Sequence, residues 1–175
     1  MDTRVSQLVK KHKDDKDLSK EDLEGLDWTG IELKGWNLEG TILSTDNNPA
    51  TMDGAEFIGV NLDNCVIQNA SASDCEFKRC SMEKINIKNC NFENTIFVSS
   101  DMNNSILEGS DFKGSDFSKV KLSESRLTAN IFENCLLNEA NLEKCKIEDC
   151  NFLRANLSRI RGLNTQWVSC NLKRC

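Results

Sequence analysis

The sequence predicts an all-β protein, a parallel β-solenoid in which the chain turns a corner every five residues and four corners close one coil. The first observation is an apolar residue that recurs every five residues from Met52 to Leu172, interrupted only by Ala72 and Gly162. The second is that all eight phenylalanines share this phase, while all nine cysteines share another, two residues earlier. On one helix or one flat strand this spacing would distribute the apolar side chains over several faces, so neither element explains it.

Consecutive five-residue segments also share a polar pattern: a small residue, then Asp or Asn, then Leu or Phe, then two variable positions. Clear copies are Ser110–Gly114, Ser115–Lys119, Ala140–Lys144 and Ala155–Arg159. This pattern resembles that of the pentapeptide-repeat family over most of the chain. The resemblance implies a right-handed quadrilateral β-solenoid, and at about twenty residues per coil the chain would make about seven coils.

Residues 1–20 are predicted to precede the solenoid, which occupies residues 21–175. Three apolar residues there have helical spacing: Val5, Leu8 and Val9. Asp2 or Thr3 would cap such a helix. Because the first coil of a solenoid exposes its core, we expect a short capping helix, with an irregular tail as the alternative.

The central apolar residues Leu43 and Met52 lie nine residues apart, one residue short of two repeats. The segment between them, residues 44–51, holds the only proline and is rich in turn formers, which predicts a loop that leaves the coil. Since loops on rigid scaffolds often bind partners, this loop is a candidate recognition site. A tolerated deletion at a surface turn is the alternative. The candidate contact residues are Asp46, Asn47, Asn48 and Pro49.

The nine cysteines all occupy a position that the solenoid turns inward. Cysteine behaves as a small hydrophobe when buried, so reduced core thiols are predicted, and an odd number argues against a disulfide framework. Metal binding is the weaker alternative, because the spacings are multiples of five and His12 is the one histidine. Cys150 and Cys170 lie one predicted coil apart and so can approach each other, but a reducing cytosol is expected to keep them as thiols.

No pattern typical of an enzyme is present: no Gly-rich phosphate loop, no H-E-x-x-H zinc motif and no G-x-S-x-G. Carboxylates are plentiful but lie on a convex surface, and acid/base catalysis needs a sheltered site. His12 lies among lysines and is predicted to be solvated. We therefore predict a non-enzymatic protein with no catalytic residue, no cofactor and no metal site.

The charge of the chain limits its partners. A formal net charge of −6 argues against direct binding to nucleic acid or to an acidic membrane. The apolar runs are too short to span a bilayer. Residues 1–20 lack the apolar core of a secretory signal, so the expected compartment is the cytoplasm.

If residues twenty positions apart stack, the outward positions sort into four columns, two of which carry mainly one sign of charge. The acidic rail collects Asp53, Glu56, Asp74, Glu76, Glu93, Asp116 and Glu133, opposed by Lys113 and Arg154. The neighbouring basic column collects Lys78, Arg79, Lys119, Lys121, Arg159 and Arg161, opposed by Asp101 and Glu139.

A line of carboxylates on a regular rod can imitate the phosphates of duplex DNA and attract a cationic groove. The family resemblance implies such a role, because pentapeptide-repeat proteins that resemble DNA bind DNA gyrase or topoisomerase IV and confer quinolone resistance or toxin immunity. The sharpest hypothesis is a DNA-mimicking protein that binds a type II topoisomerase through the acidic rail. A surface that is acidic only for solubility would show the same columns. A structural scaffold or adaptor that binds a protein through residues 44–51 or the C-terminal coil is the second hypothesis.

Outward positions become apolar towards the C-terminus, where no helical cap is predicted. An apolar coil end favours self-association, so an end-to-end homodimer is expected. An irregular last coil in a monomer is the alternative. The expected dimer surface comprises Leu153, Leu163, Trp167 and Val168.

Overall fold

The structure, a computed structural model, describes residues 3–175, so the cap predicted at Asp2 lies outside the described residues. In this range, helix α1 spans Thr3–Lys11 and is followed by ten three-residue strands. The strands are β1 (Glu32–Lys34), β2 (Ile42–Ser44), β3 (Glu56–Ile58), β4 (Val66–Gln68), β5 (Glu76–Lys78), β6 (Asn86–Lys88), β7 (Ile106–Glu108), β8 (Arg126–Thr128), β9 (Lys146–Glu148) and β10 (Gln166–Val168).

Each strand pairs in parallel with strands of the neighbouring coils. Three strands follow the order β1-β3-β5 and seven follow the order β2-β4-β6-β7-β8-β9-β10. Partner residues are typically 20 positions apart, as Ile87 and Leu107 are, and isolated bridges connect the other two sides of the coil. The result is a four-sided parallel β-solenoid of about seven coils, which confirms the predicted fold class.

Helix α1 packs on the first coil through its apolar face. Val5 is fully buried in the same hydrophobic cluster as Leu18, and Leu8 and Val9 are partly buried against that cluster. The helical spacing of these residues is therefore used to cover one end of the core, as a solenoid requires.

His12 directly follows α1 and contacts the solenoid, so the prediction of a solvated side chain is wrong. Its Nε2 lies 2.7 Å from Glu21 Oε1, and Lys11 Nζ donates to the same oxygen at 2.6 Å. These hydrogen bonds, the one from Lys11 first, hold the pKa of Glu21 below its ordinary value. One carboxylate thus joins the end of the helix to the first coil.

The central residues of each repeat form the core, where the phenylalanines stack in two columns. In one column Phe57, Phe77, Phe97 and Phe117 have successive ring centroids 4.9, 5.3 and 4.6 Å apart. In the other, Phe92, Phe112, Phe132 and Phe152 are 5.4, 5.1 and 4.8 Å apart. Rings of different columns meet edge to face, so every phenylalanine in the middle coils is enclosed by aromatic neighbours.

The small inward residues, two before each centre, form hydrogen bonds between coils. Cys75 Sγ donates to Met52 O at 2.7 Å, and Ser115 Oγ donates to Phe92 O at 2.7 Å. Serine and cysteine therefore share one task, which is to satisfy a carbonyl of the preceding coil. Seven of the nine thiols are buried as predicted, whereas Cys170 is partly buried and Cys175 is exposed. The description of the thiols as small hydrophobes omits their donor role.

Each corner also requires a left-handed backbone conformation two residues after its centre. Gly54 has a φ of 66° there, and Asn64 has a φ of 60°. Glycine and asparagine adopt this region most easily, which explains why eight of the nine glycines occupy this position. The period of five residues thus repeats a backbone conformation as well as an apolar side chain.

Replacing Phe112 tests this register. Phe112 is fully buried between Phe92 and Phe132, so we expect Phe112→Ala to lower the free energy of unfolding by about 3–5 kcal/mol and Phe112→Asp to prevent folding of the surrounding coils. The neighbouring Lys113→Asp, at an exposed position, should change it by less than about 0.5 kcal/mol. Denaturant unfolding followed by circular dichroism measures the free energy of unfolding of each variant. Equal stability of Phe112→Asp and Lys113→Asp would contradict the register.

Candidate protein-binding surface

The acidic rail lies along one edge of the solenoid. Parallel pairing places Glu56 directly opposite Glu76, and isolated bridges continue the row through Ile96 to Asp116. Asp53, Asp74, Glu93 and Glu133 lie at the adjacent corner positions of the same edge. The structure therefore brings the predicted residues into one column, and this column contains one further carboxylate that the sequence analysis did not assign to it.

Glu32 extends the acidic rail by one coil, because β1 pairs with β3 and places Glu32 opposite Glu56. Glu32 and Glu56 are separated by 24 positions instead of 20. The pair Asp27 and Thr51 has the same separation, because the same coil lies between its two members. A search at a fixed spacing of twenty residues therefore misses Glu32. Counting residues 44–51 as an insertion within one repeat would have found it.

Three members of the acidic rail are occupied in holding the fold together. Asp53 accepts hydrogen bonds from Ser71 Oγ and Ser73 N, both at 2.8 Å, and so joins two coils. Asp116 accepts from the backbone N–H of Ser118 at 2.8 Å. Glu76 pairs with Lys78 at 2.6 Å. The carboxylates of these three residues are therefore already engaged within the solenoid.

The hydrogen bond from Ser118 N to Asp116 recurs in other repeats and explains why Asp or Asn so often stands just before the central residue. In many repeats the side chain just before the centre accepts from the backbone N–H two residues later, as Asn91 does for Glu93 at 3.1 Å and Asp111 does for Lys113 at 2.9 Å. Such Asx turns stabilise the corner. Asp or Asn at this position is therefore explained by the fold.

The remaining rail carboxylates form no side-chain hydrogen bond or ion pair with any residue in the range 3–175. They are Glu32, Glu56, Asp74, Glu93 and Glu133. The first four lie in consecutive coils at the N-terminal end of the rail, whereas Glu133 is separated from them by Lys113. The unengaged acidic surface is therefore denser at the N-terminal end of the rail.

Apolar side chains interrupt the rail in its C-terminal half. Ile96 and Leu136 occupy the row that Glu56 and Glu76 begin, and 43% of Leu136 is exposed. Leu153 follows Glu133 in the adjacent row. The rail is thus a discontinuous acidic surface rather than an unbroken line of carboxylates.

The basic column lies at the next corner, and some of its charge is neutralised. Lys121 pairs with Asp101 at 2.8 Å, and Lys78 pairs with Glu76 of the acidic rail. The cations without an ion pair to residues 3–175 are Arg79, Lys119, Arg159 and Arg161. Two of these four lie in the last coils, so the free positive charge is concentrated at the end opposite the densest carboxylates.

The loop at residues 44–51 is an insertion into one corner, so the interpretation as a shortened pair of repeats is wrong. Leu43 and Met52 are consecutive centres, and the coil that contains the loop has 24 residues where regular coils have 20. At the base of the loop, the buried Ser44 donates to Gln68 O and accepts from Ala50 N. The extra residues leave the coil without disturbing the register beyond it.

The tip of the loop is exposed but held on both sides. Thr45 Oγ1 and Asn48 Nδ2 donate to Glu24 Oε1 at 2.6 and 3.1 Å, and Asn69 Nδ2 donates to Asp46 Oδ1 at 2.6 Å. Asn48 also lies against Gly25, where an added Cβ would come within 2.9 Å of the Asn48 Cβ. The exposed candidates, Asp46, Asn47, Asn48 and Pro49, are therefore presented on a fixed base, and their role in recognition stays a prediction.

The C-terminal coil exposes part of the predicted dimer surface. Leu163 and Val168 are 70% and 51% exposed. Trp167 is partly buried and packs edge to face on Phe152 with ring centroids 5.2 Å apart, and Leu153 is half-buried. Leu163 and Val168 therefore supply most of the open apolar area, while Trp167 mainly closes the core.

Three cysteines in the middle of the core, Cys75, Cys135 and Cys145, lack the properties of nucleophiles. Burial raises the pKa of Cys75 and Cys135 to about 12 and that of Cys145 to about 11. Within residues 3–175 no group of three His, Cys, Asp or Glu side chains has a geometry suited to a metal ion. No helix in that range is long and apolar enough to cross a membrane.

Comparisons with known proteins match the repeat. One sequence profile, described as a pentapeptide repeat region, matches residues 50–129, and another, described as eight copies of pentapeptide repeats, matches residues 123–161. No curated protein sequence gives a match. Among solved structures, the chain is similar to a trypsin-treated form of QnrB1, a plasmid-mediated fluoroquinolone resistance protein, with 17% identity over 87% of this chain and 84% of that chain and a TM-score of 0.58. It is also similar to Rfr23, a pentapeptide repeat protein from the cyanobacterium Cyanothece 51142, with 18% identity, 93% and 99% coverage and a TM-score of 0.43.

The anchoring of the loop by Glu24 can be tested by limited proteolysis. Glu24→Ala removes the acceptor of Thr45 and Asn48, so we expect a protease of broad specificity to cleave within residues 45–49 on the order of ten times faster, with the melting temperature unchanged. Glu83→Ala is the matched control, because the Glu83 side chain has no hydrogen-bond or ion-pair partner in residues 3–175. Equal cleavage rates in the two variants would show that Glu24 does not hold the loop.

Proposed function

This chain belongs to the pentapeptide-repeat family, and we propose that it is a non-catalytic protein-binding solenoid that imitates duplex DNA and docks on a type II topoisomerase such as DNA gyrase. The proposed contact surface is the acidic rail, extended to Glu32. Binding to such an enzyme takes place in the cytoplasm, and that location is part of the proposal.

The carboxylate ladder of β1, β3 and β5 carries the proposal. Glu32, Glu56 and Glu76 lie in register on three successive coils, so neighbouring backbones are about 4.8 Å apart. Like charges directly opposite each other destabilise a sheet. None of the three forms the Asx turn that Asp and Asn provide at this position in other repeats. The ladder supports no corner, and only Glu76 has an ion-pair partner, Lys78. Glu32 and Glu56 are therefore well suited to contact a cationic partner.

The spacing of the ladder supports mimicry of a nucleic acid. One strand of duplex DNA presents a phosphate about every 3.4 Å along the helix axis, and the coils present one rail carboxylate about every 4.8 Å, so both are rows of closely spaced negative charge. A groove lined with Lys and Arg, built to contact successive phosphates, could therefore contact Glu32, Glu56, Asp74 and Glu93 in the same way. The shared fold of QnrB1, itself a fluoroquinolone resistance protein, is consistent with this function but at 17% identity does not carry it.

A gyrase supercoiling assay tests the proposal. The wild-type protein at micromolar concentration should inhibit supercoiling or protect the enzyme from a fluoroquinolone. The variant Glu32→Gln, Glu56→Gln, Glu93→Gln should need on the order of ten times more protein for the same effect, because it removes three charge contacts. Its melting temperature should be equal to or above that of the wild type, since like-charge repulsion is removed.

The matched control is Glu83→Gln, Glu143→Gln, Glu148→Gln, which changes the net charge equally but leaves the acidic rail intact. These carboxylates also have no side-chain partner among residues 3–175, so we expect its activity to stay within about threefold of the wild type. Absence of both inhibition and protection by the wild type would eliminate the topoisomerase as the partner. Equal losses in the two triple variants would show that net charge, rather than the rail, determines binding.

The exposed apolar coil end favours a second candidate function, an adaptor that associates through the C-terminal coil. Leu163 and Val168 present open apolar surface there. The same coil carries Arg159 and Arg161 without ion pairs, so two copies meeting end to end would also bring like charges together. Apolar attraction and charge repulsion therefore oppose each other in such a dimer.

This opposition predicts that self-association increases with salt. The Debye length falls from about 30 Å at 0.01 M to about 3 Å at 1 M ionic strength. High salt therefore weakens the charge repulsion, while the apolar contacts persist. Analytical ultracentrifugation should show more dimer at high salt for the wild type, and none for Leu163→Asp, Val168→Asp. A monomer at every salt concentration would refute the dimer, and association that falls with salt would indicate an ionic interface elsewhere.

A further inference from the structure

Cys150 and Cys170 lie in the same inward column on adjacent coils. Strand pairing aligns Glu148 with Val168 on one side, and a bridge aligns Asn151 with Asn171 on the other, so the two cysteines between them are in register. Parallel neighbours have Cα atoms about 4.8 Å apart, which lies within the range of about 4.4–6.8 Å seen in disulfides. The backbone is thus already placed for an S–S bond.

No other two of the nine cysteines lie 20 positions apart, directly over each other in adjacent coils. In the remaining columns the residues above and below each cysteine are Ala, Val, Ile, Ser or Thr, as Ala55 and Thr95 are for Cys75. Cys175, which is exposed, lies above Ala155. Only Cys150 and Cys170 therefore lie directly over each other in adjacent coils.

The two thiols, like that of Cys90, lie farther from their carbonyl acceptors than the thiols of Cys75, Cys80, Cys135 and Cys145 do. Cys150 Sγ lies 3.3 Å from Glu148 O and 3.6 Å from Leu127 O, and Cys170 Sγ lies 3.3 Å from Val168 O and 3.5 Å from Ile147 O. The thiols with a single short bond are closer to their acceptors, at 2.7–2.9 Å. Rotation of these two side chains towards each other breaks only weak bonds.

Access differs between the partners. Cys150 is 1% exposed, whereas Cys170 is only partly buried because it lies in the last complete coil. A reagent in solution can therefore reach Cys170 first, and Cys150 is positioned to complete the reaction from the core.

We propose that Cys150 and Cys170 form a site of oxidative modification, which a small disulfide such as oxidised glutathione converts to an S–S bond between adjacent coils. Cys170 releases its proton to water, and its thiolate attacks one sulfur of the glutathione disulfide. A mixed disulfide forms and one glutathione thiolate leaves. Cys150 then releases its proton and attacks Cys170 Sγ, which displaces the second glutathione. The two protein thiols lose two protons and two electrons, and the glutathione disulfide gains them.

The bond would tie the last coil to the one before it. Burial raises the pKa of Cys150 to about 11, which slows the closing step because it lowers the fraction of Cys150 present as thiolate. Once formed, the bond closes a loop of 20 residues, the separation of the two coils, and restricts opening of the terminal coil. This inference rests on the register of the fold and is independent of the proposed topoisomerase partner.

The test uses the full chain with Cys175→Ser, which removes the exposed thiol. The folded protein is incubated with oxidised glutathione, free thiols are trapped, and tryptic peptides are compared by mass spectrometry without reduction. We expect one cross-linked peptide pair containing Cys150 and Cys170, with the other six cysteines trapped as thiols. Amide hydrogen exchange in residues 160–172 should slow on the order of 100-fold after oxidation.

Two variants in the same background complete the test. Cys80→Ser is the matched control and should still form the bond, because Ser preserves the donor to Phe57 O. Cys170→Ser should form no disulfide and should show no change in exchange. Persistent glutathione on Cys170 without closure, no reaction at either cysteine, or cross-links to other cysteines in the folded protein would each overturn the proposal.

Discussion

Backbone hydrogen bonds between successive coils are the interaction on which the rest of the structure depends. Phe112 N donates to Ile131 O of the next coil at 2.8 Å, and Asp111 N donates to Cys90 O of the preceding coil at 2.9 Å. Because these parallel ladders permit one register, each residue lies over its equivalent in the neighbouring coil. The phenylalanine stacks, the ladder of inward hydroxyls and thiols, and the acidic rail are all consequences of that register. The same constraint concentrates the effect of a single substitution, since a residue in the middle of the rod contacts its equivalents on both sides.

The polar residues divide into those that build corners and those that the fold does not use. Asp53 and Asp116 accept backbone hydrogen bonds, and the carboxylate of Asp116 serves the same purpose as the amide of Asn91. Glu32 and Glu56 have no such task, although they lie in the same column and carry the same charge. Negative charge on a solenoid surface is therefore poor evidence for binding until the carboxylates engaged in turns have been set aside. What remains is a smaller, denser surface near the N-terminal end of the rail, with apolar residues replacing it towards the other end.

Parts of this arrangement could be predicted and parts could not. The unbroken recurrence of apolar residues predicted the solenoid and its core, since only one side chain in five can point along the same inward direction. The spacing between Leu43 and Met52 was ambiguous, because a count of residues alone does not distinguish a shortened pair of repeats from an insertion in one. That ambiguity concealed Glu32, whose place in the rail depends on the 24-residue coil. His12 was misjudged for a related reason: its partner Glu21 is brought to it by the packing of α1 on the first coil, and nothing in the local sequence indicates that contact.

The sequence by itself determined the five-residue repeat, and with it the inward positions, the stacking of residues twenty apart and the inward placement of all nine cysteines. The sequence determines these features because they follow from local periodicity, and every repeat contains the same pattern. Only the tertiary structure decided which carboxylates are free and how the loop is anchored to Glu24. These depend on where individual side-chain atoms meet between coils. A repeat specifies which residues are neighbours, whereas the distances between their atoms depend on rotamers, insertions and competing hydrogen-bond partners.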